Sequence, residues 1–141
     1  MLEIPQDLAL RIKAEGEKAY PKECCGFVLG TCQDSQPRKT HALIPIANAW
    51  ETAEQYHRFS IEPEAFIKVE QEARAQNLDI IGFYHSHPDH PARPSDYDRE
   101  QALPGYSYLI VAVEQGRASA LTGWELLADR STFTEEEIIW R

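Results

Sequence analysis

Residues 79–87, Asp-Ile-Ile-Gly-Phe-Tyr-His-Ser-His, carry an apolar run straight into two histidines, after which Pro88, Pro91 and Pro94 punctuate the chain. The run suits a strand. The prolines, each with a locked backbone and no N–H for a ladder, demand a loop. A strand ending on His-x-His restricts the chain more than any other feature. Alternate side chains on a strand share a face, so the imidazoles of His85 and His87 can converge on one ion.

The flanking segments alternate in character. Residues 5–20 place Leu8 and Ile12 on one helical face, with Pro5 in a first turn, and Pro21 stops the helix. Residues 24–30 form a short apolar run ending in Gly30, suited to a buried strand, and residues 31–39 read as a loop. Residues 40–50 are β-prone, but Pro45 confines them to an edge position or a bulge. A further short strand is expected over 56–63. A helix is expected over 63–78, where Phe66, Ile67, Val69, Glu70 and Ala73 keep helical spacing after a Pro-Glu start. A third helix should begin near Ser95 or Asp96, both good caps. Residues 106–127 predict two or three strands with a turn at Gln115-Gly116, and the tail Thr134–Trp140 is too short to assign. Helices alternating with apolar strands predict an α/β layered domain whose ligand site lies beyond a strand end. The histidine pair lies at one.

A chain of 141 residues is the size of one domain, taken here as 1–141. No apolar run approaches the roughly 20 residues of a membrane span, and the first residues lack a secretory signal, so a cytoplasmic protein is expected. A formal net charge of -9 with 14 scattered basic residues argues against a nucleic-acid partner. Cys24, Cys25 and Cys32 lack the spacing of a zinc-binding or redox pair. They read as reduced thiols, with Cys24 and Cys25 in a buried strand.

A catalytic zinc typically has three protein ligands and an open fourth position. Asp98, near the start of the expected third helix, is the candidate third ligand, brought back to the strand end by the proline-stiffened loop. Hydrolysis also needs a group that takes a proton from water and returns it to the leaving amine. Glu23 is the candidate, since a carboxylate immediately before a buried strand otherwise sits awkwardly at the edge of an apolar layer.

Glu23, His85-x-His87 followed by Pro88, and Ser95-x-x-Asp98 together resemble the JAMM (MPN+) zinc metalloproteases. The surrounding segments "YPKECCGFVLG" and "IGFYHSHP" extend the likeness over about residues 1–125. The resemblance implies an α/β, single-domain JAB/MPN fold, a mixed curved β-sheet flanked by helices and cytidine-deaminase-like in layout. It implies one Zn2+ per chain on His85, His87 and Asp98, with Glu23 as general acid/base and Ser95 as donor to the oxyanion. The chain is similar to the short stand-alone prokaryotic members. The implied substrate is therefore a ubiquitin-like or sulfur-carrier protein, cut at a peptide or isopeptide bond after its C-terminal Gly-Gly. Such a tail could dock as an added strand, for which Pro45 marks a candidate edge.

Two other functions compete. One is a non-catalytic MPN module that binds a ubiquitin-like partner around a structural zinc. The other is a zinc hydrolase of small amides, but the His-x-Glu and Cys-x-x-Cys pattern of the nucleobase deaminases does not occur here. Asp89, His90 and Asp96 read as solvated loop residues. His41 and His57 have no evident partner, and Trp50, Trp124 and Trp140 read as core or interface.

Overall fold

The computed structural model describes residues 1–47 and 62–141. The strand expected over 56–63, together with Trp50 and His57, falls almost wholly outside them. In order, the described elements are β1 (Leu2–Ile4), α1 (Gln6–Ala19), β2 (Cys25–Thr31), β3 (Arg38–Ile46), α2 (Pro63–Ala75), β4 (Asp79–Pro88), α3 (Asp96–Gln101), β5 (Ser107–Glu114), β6 (Arg117–Leu126), β7 (Phe133–Glu136) and β8 (Ile138–Trp140). The strands form one mixed sheet in the order β7-β6-β5-β4-β2-β3-β1-β8.

β4 lies at the centre, antiparallel to β2 and parallel to β5. Every residue after Asp79 in β4 is buried, as expected for a strand covered on both faces. On one face α1 packs Leu8, Ala9 and Ile12 against Val28, Tyr84, Leu109 and Val111. On the other, α2 packs Val69 and Ala73, with Phe66, against Phe27, Phe83 and Tyr108. This second face carries the site.

The sheet curves back on itself. β7 and β8 occupy its opposite edges yet are separated in the chain by Glu137 alone, so the two edges must meet. Arg38 of β3 spans the junction, donating from Nη1 to Ser107 Oγ and Glu125 Oε1, each at 2.7 Å. The terminal ammonium of Met1 lies 3.3 Å from the buried Glu136 carboxylate. Short terminal strands with no interior periodicity to announce them thus complete the sheet.

Both readings of Pro45 reduce to one. β1 pairs with β3 at Arg38 and Lys39, whereas Pro45 sits further along, opposite Gly26 of β2. Among the described residues, that stretch of β3 pairs on one side only, where a proline without an N–H is tolerated. The hairpin between β5 and β6 turns at Gln115 (φ 47°) and Gly116 (φ 85°), both left-handed as a two-residue hairpin turn requires. Among the described residues, no helix is long and apolar enough to cross a membrane.

Candidate metal centre

Strand register assembles the site. Cys25 of β2 pairs with His85 of β4, and Gly26 with Tyr84. Beyond the ladder the register continues, because the Cys24 N–H donates to Ser86 Oγ at 2.9 Å and the Ser86 N–H donates to the Cys24 carbonyl at 3.1 Å. Glu23 therefore comes level with His87. Cys25 shares the face of Glu23, whereas Cys24 packs into the core on the α1 side. Close approach is needed here: a Cβ on Gly26 would lie 2.3 Å from the Tyr84 ring.

The third contributor arrives from α3. Ser95 caps this helix, its Oγ accepting the Asp98 N–H at 3.1 Å while its own N–H donates to Asp98 Oδ2 at 2.8 Å. This capping box fixes the Asp98 carboxylate without using the Ser95 O–H. Asp98 Oδ2 lies 3.1 Å from His87 Nε2, and Oδ1 lies 3.4 Å from His85 Nε2. The two Nε2 atoms are 3.1 Å apart.

The His85–His87 separation and that from His87 to Asp98 Oδ2 fit two edges of a metal centre, while His85 faces the other carboxylate oxygen, Oδ1. Atoms bonded at about 2.0–2.1 Å to a tetrahedral zinc lie about 3.3 Å from one another. The donor chemistry agrees: the Pro91 carbonyl, 2.9 Å from His87 Nδ1, can only accept, so Nδ1 carries the hydrogen and Nε2 faces the cluster with its lone pair. Two imidazole nitrogens and a carboxylate at such distances can share either a proton or a cation. Donor atoms of Glu23, His85 and His87 also lie within 4.8 Å of one another, so Glu23 adjoins the same point.

Electrostatics divides the four groups. Burial pushes the Glu23 carboxyl up to about 8, aided by the Asp98 charge and opposed by His87. His85 is shifted down, chiefly by complete burial, despite Asp98. Burial also disfavours a charged His87, but the Asp98 hydrogen bond and charge, the Pro91 carbonyl and Glu23 outweigh it and move it up. Asp98 resists burial in the same way, held well below the carboxylate range by the facing imidazoles of His85 and His87. A proton on His87 and a cation at the cluster are alternative occupants of one place.

Two cavities flank the centre. One, of about 300 Å³, is lined by Glu23, His87, Ser95, His90 and Arg93. The other, of about 380 Å³, reaches His85 and Asp98 through apolar walls from α2, β4 and β5. All five residues singled out in the sequence thus border one region. His90 is exposed, as expected of a solvated loop residue, and lines the cavity of Glu23. Asp89 is exposed as expected, and it accepts hydrogen bonds from the Tyr20 hydroxyl at 2.6 Å and the Gln115 N–H at 2.8 Å. His41 has a neighbour, Thr31 Oγ1 at 3.4 Å.

A family model described as prokaryotic homologues of the JAB domain matches residues 5–126. The chain belongs to this JAB family. Among its curated relatives is a desampylase of Haloferax volcanii, 38% identical over 101 residues that span 71% of this chain and 68% of the relative. Another is a probable TtuB-protein conjugate cleaving protease of Thermus thermophilus, 27% identical over 121 residues, 86% of this chain and 76% of the relative. A JAB1/MPN domain protein of Archaeoglobus fulgidus superposes with a TM-score of 0.62 at 18% identity, covering 100% of this chain and 97% of that one. At that identity the likeness concerns fold, and the mixed curved sheet with its helices is the JAB/MPN fold. This JAB-family chain is a JAMM-type hydrolase.

No site role for the wall residues Ile67 and Leu103 is evident from the sequence. Ile67 counts among the residues at helical spacing; it is 57% exposed and lies at the apolar cavity. The available signal was its place beside Phe66, one step off the line through Val69 and Ala73.

Proposed function

We propose that this protein is a zinc-dependent metallopeptidase that hydrolyses a peptide or isopeptide bond at the C-terminal Gly-Gly end of a ubiquitin-like or sulfur-carrier protein in the cytoplasm. The observation that carries the proposal is the convergence of His85, His87 and Asp98, with Glu23 level with His87 and a donor atom within 4.8 Å of those of both histidines. The names of the Haloferax and Thermus relatives support the substrate class.

In this reading His85, His87 and Asp98 hold one zinc ion. Zinc there would polarise the scissile carbonyl and acidify an attacking water. Glu23 takes the proton from that water and delivers it to the leaving amine. Without metal, burial holds this carboxyl up to about 8; a cation beside it would favour the carboxylate that accepts the proton. Ser95, whose Oγ already accepts the Asp98 N–H, turns its O–H toward the oxyanion of the tetrahedral intermediate. The capping box holds ligand and donor together, so the Asp98 oxygens and the Ser95 hydroxyl move as one unit.

The test uses purified protein, zinc and a panel of ubiquitin-like carriers, each bearing a short extension after its Gly-Gly end. Intact masses are read with and without chelator. Loss of the extension, abolished by chelator and restored by zinc, is the expected result. A zinc-loaded protein that leaves every carrier in the panel intact would refute the substrate assignment.

A further inference from the structure

The apolar cavity beside His85 and Asp98 has no role in the chemistry above. Its walls are Phe66 and Ile67 of α2, Phe83 of β4, Tyr108 of β5, and Leu103 just past α3. Among the described residues, and apart from His85 and Asp98, no lining side chain is charged. The wall is built rather than incidental. Phe83 stacks on Phe66 at 6.0 Å and on Tyr108 at 5.4 Å, and Phe66 meets Phe27 at 5.8 Å. The Tyr108 hydroxyl accepts the Leu103 N–H at 2.8 Å, holding Leu103 in place.

The rim is apolar as well. Ile67 is 57% exposed and Leu103 47%, so two large hydrophobic side chains stand in water at a cavity leading to the reacting centre. Burying such groups against a ligand is favourable, whereas a charged ligand group would lose its hydration without gaining a partner.

We propose that this cavity is the pocket that selects the substrate residue on the leaving side of the scissile bond, and that it takes an aliphatic or aromatic side chain. The inference rests on the Gly-Gly reading in one respect. If two glycines precede the bond, neither has a side chain to offer, so a pocket abutting the ligands is filled from beyond the bond. The preferred leaving group is then an extension beginning with an apolar residue. One beginning with Asp or Lys is disfavoured.

Carriers ending in Gly-Gly-X-Ala, with X as Leu, Phe, Asp or Lys, are compared by kcat/KM on the zinc-loaded enzyme. Leu and Phe should exceed Asp and Lys by about tenfold or more, the scale a hydrophobic pocket supplies. Leu103→Lys should reduce the Leu-to-Asp ratio about tenfold, chiefly through KM, and Leu103→Met should preserve it. Equal rates for all four extensions, or a ratio indifferent to Leu103→Lys, would overturn the pocket. If no extension is cleaved, the Gly-Gly reading has failed, and a second measurement tests the pocket alone. Isotope-labelled protein is titrated with N-acetyl-phenylalanine amide and, separately, with N-acetyl-aspartate amide. Saturable shifts at Ile67 and Leu103 with the first and not the second support it, and their absence refutes it.

Discussion

Glu23→Gln separates the proton-transfer role from a ligand role and carries its own thermodynamic signature. Glu23 is only 5% exposed, and Gln fills the same volume without ionising. Consider protein stripped of metal by chelator. The Glu23 carboxyl sits at about 8 in the folded chain against 4.5 for the ordinary group, principally because burial disfavours its charge. A folded-state value above the unfolded one means that the native chain holds a proton the unfolded chain has released. Wild-type stability therefore falls as pH rises from 4.5 to about 8, by roughly 1.4 kcal/mol per pH unit and at most about 5 kcal/mol in all. Above 8 both states are ionised and the loss stops growing. The Gln variant lacks this dependence. Subtracting the two proteins removes the titrating groups that Glu23 does not touch, leaving Glu23 and its neighbour His87, so the variant should gain on wild type across that window, by about 4 °C in Tm per pH unit for a chain of this size. Thermal scans at half-unit intervals from pH 4 to 9 measure it. A difference that does not vary with pH would refute the buried-carboxyl argument. In the metal-loaded protein the same variant should retain zinc while turnover drops about 10²–10⁴-fold, the usual worth of general acid–base catalysis. Loss of zinc together with turnover would instead make Glu23 a ligand.

Three further outcomes follow from the packing. Ser95→Ala removes the α3 cap and the proposed oxyanion donor, so it should cost about 0.5–2 kcal/mol in chemical denaturation and about 10²–10³ in kcat; full activity would remove Ser95 from the chemistry. Burial pushes the Cys24 thiol up to about 11 and Cys25 up to about 12, whereas Cys32 is exposed. Iodoacetamide at pH 8 should therefore alkylate one thiol in the folded chain and three after unfolding, as read by intact mass, and rapid labelling of all three would contradict this burial. Gly26→Ala would place a methyl 2.3 Å from the Tyr84 ring, so the strands beside the site must shift. A cost of about 1–3 kcal/mol is expected, and an unchanged denaturation midpoint would count against that close approach.

Much of the fold follows from local pattern. The Leu8–Ile12 face, the Phe66–Ala73 stripe, the apolar runs at 25–31 and 79–88 and the Gln115-Gly116 turn each state their own conformation, because burial periodicity and turn chemistry act over a few residues. The His-x-His pair is of the same kind: its shared face is dictated by strand alternation alone. β7 and β8 carry no such statement. Their seven residues pair only because the curved sheet brings its two edges to Glu137, a long-range condition invisible in "FTEEEIIW".

What the sequence determined by itself was the set of chemical groups: two imidazoles on one strand face, a serine and an aspartate three apart at a helix start, and a carboxylate ahead of a buried strand. What only the tertiary structure decided was their meeting. The β2–β4 register sets Glu23 level with His87, the α3 capping box turns Asp98 onto both histidines, and the aromatic stack beneath α2 leaves an apolar cavity at their side. Each depends on contacts between residues distant in the chain, and burial among them, not residue type, drives the Glu23 carboxyl up while the two imidazoles hold Asp98 down.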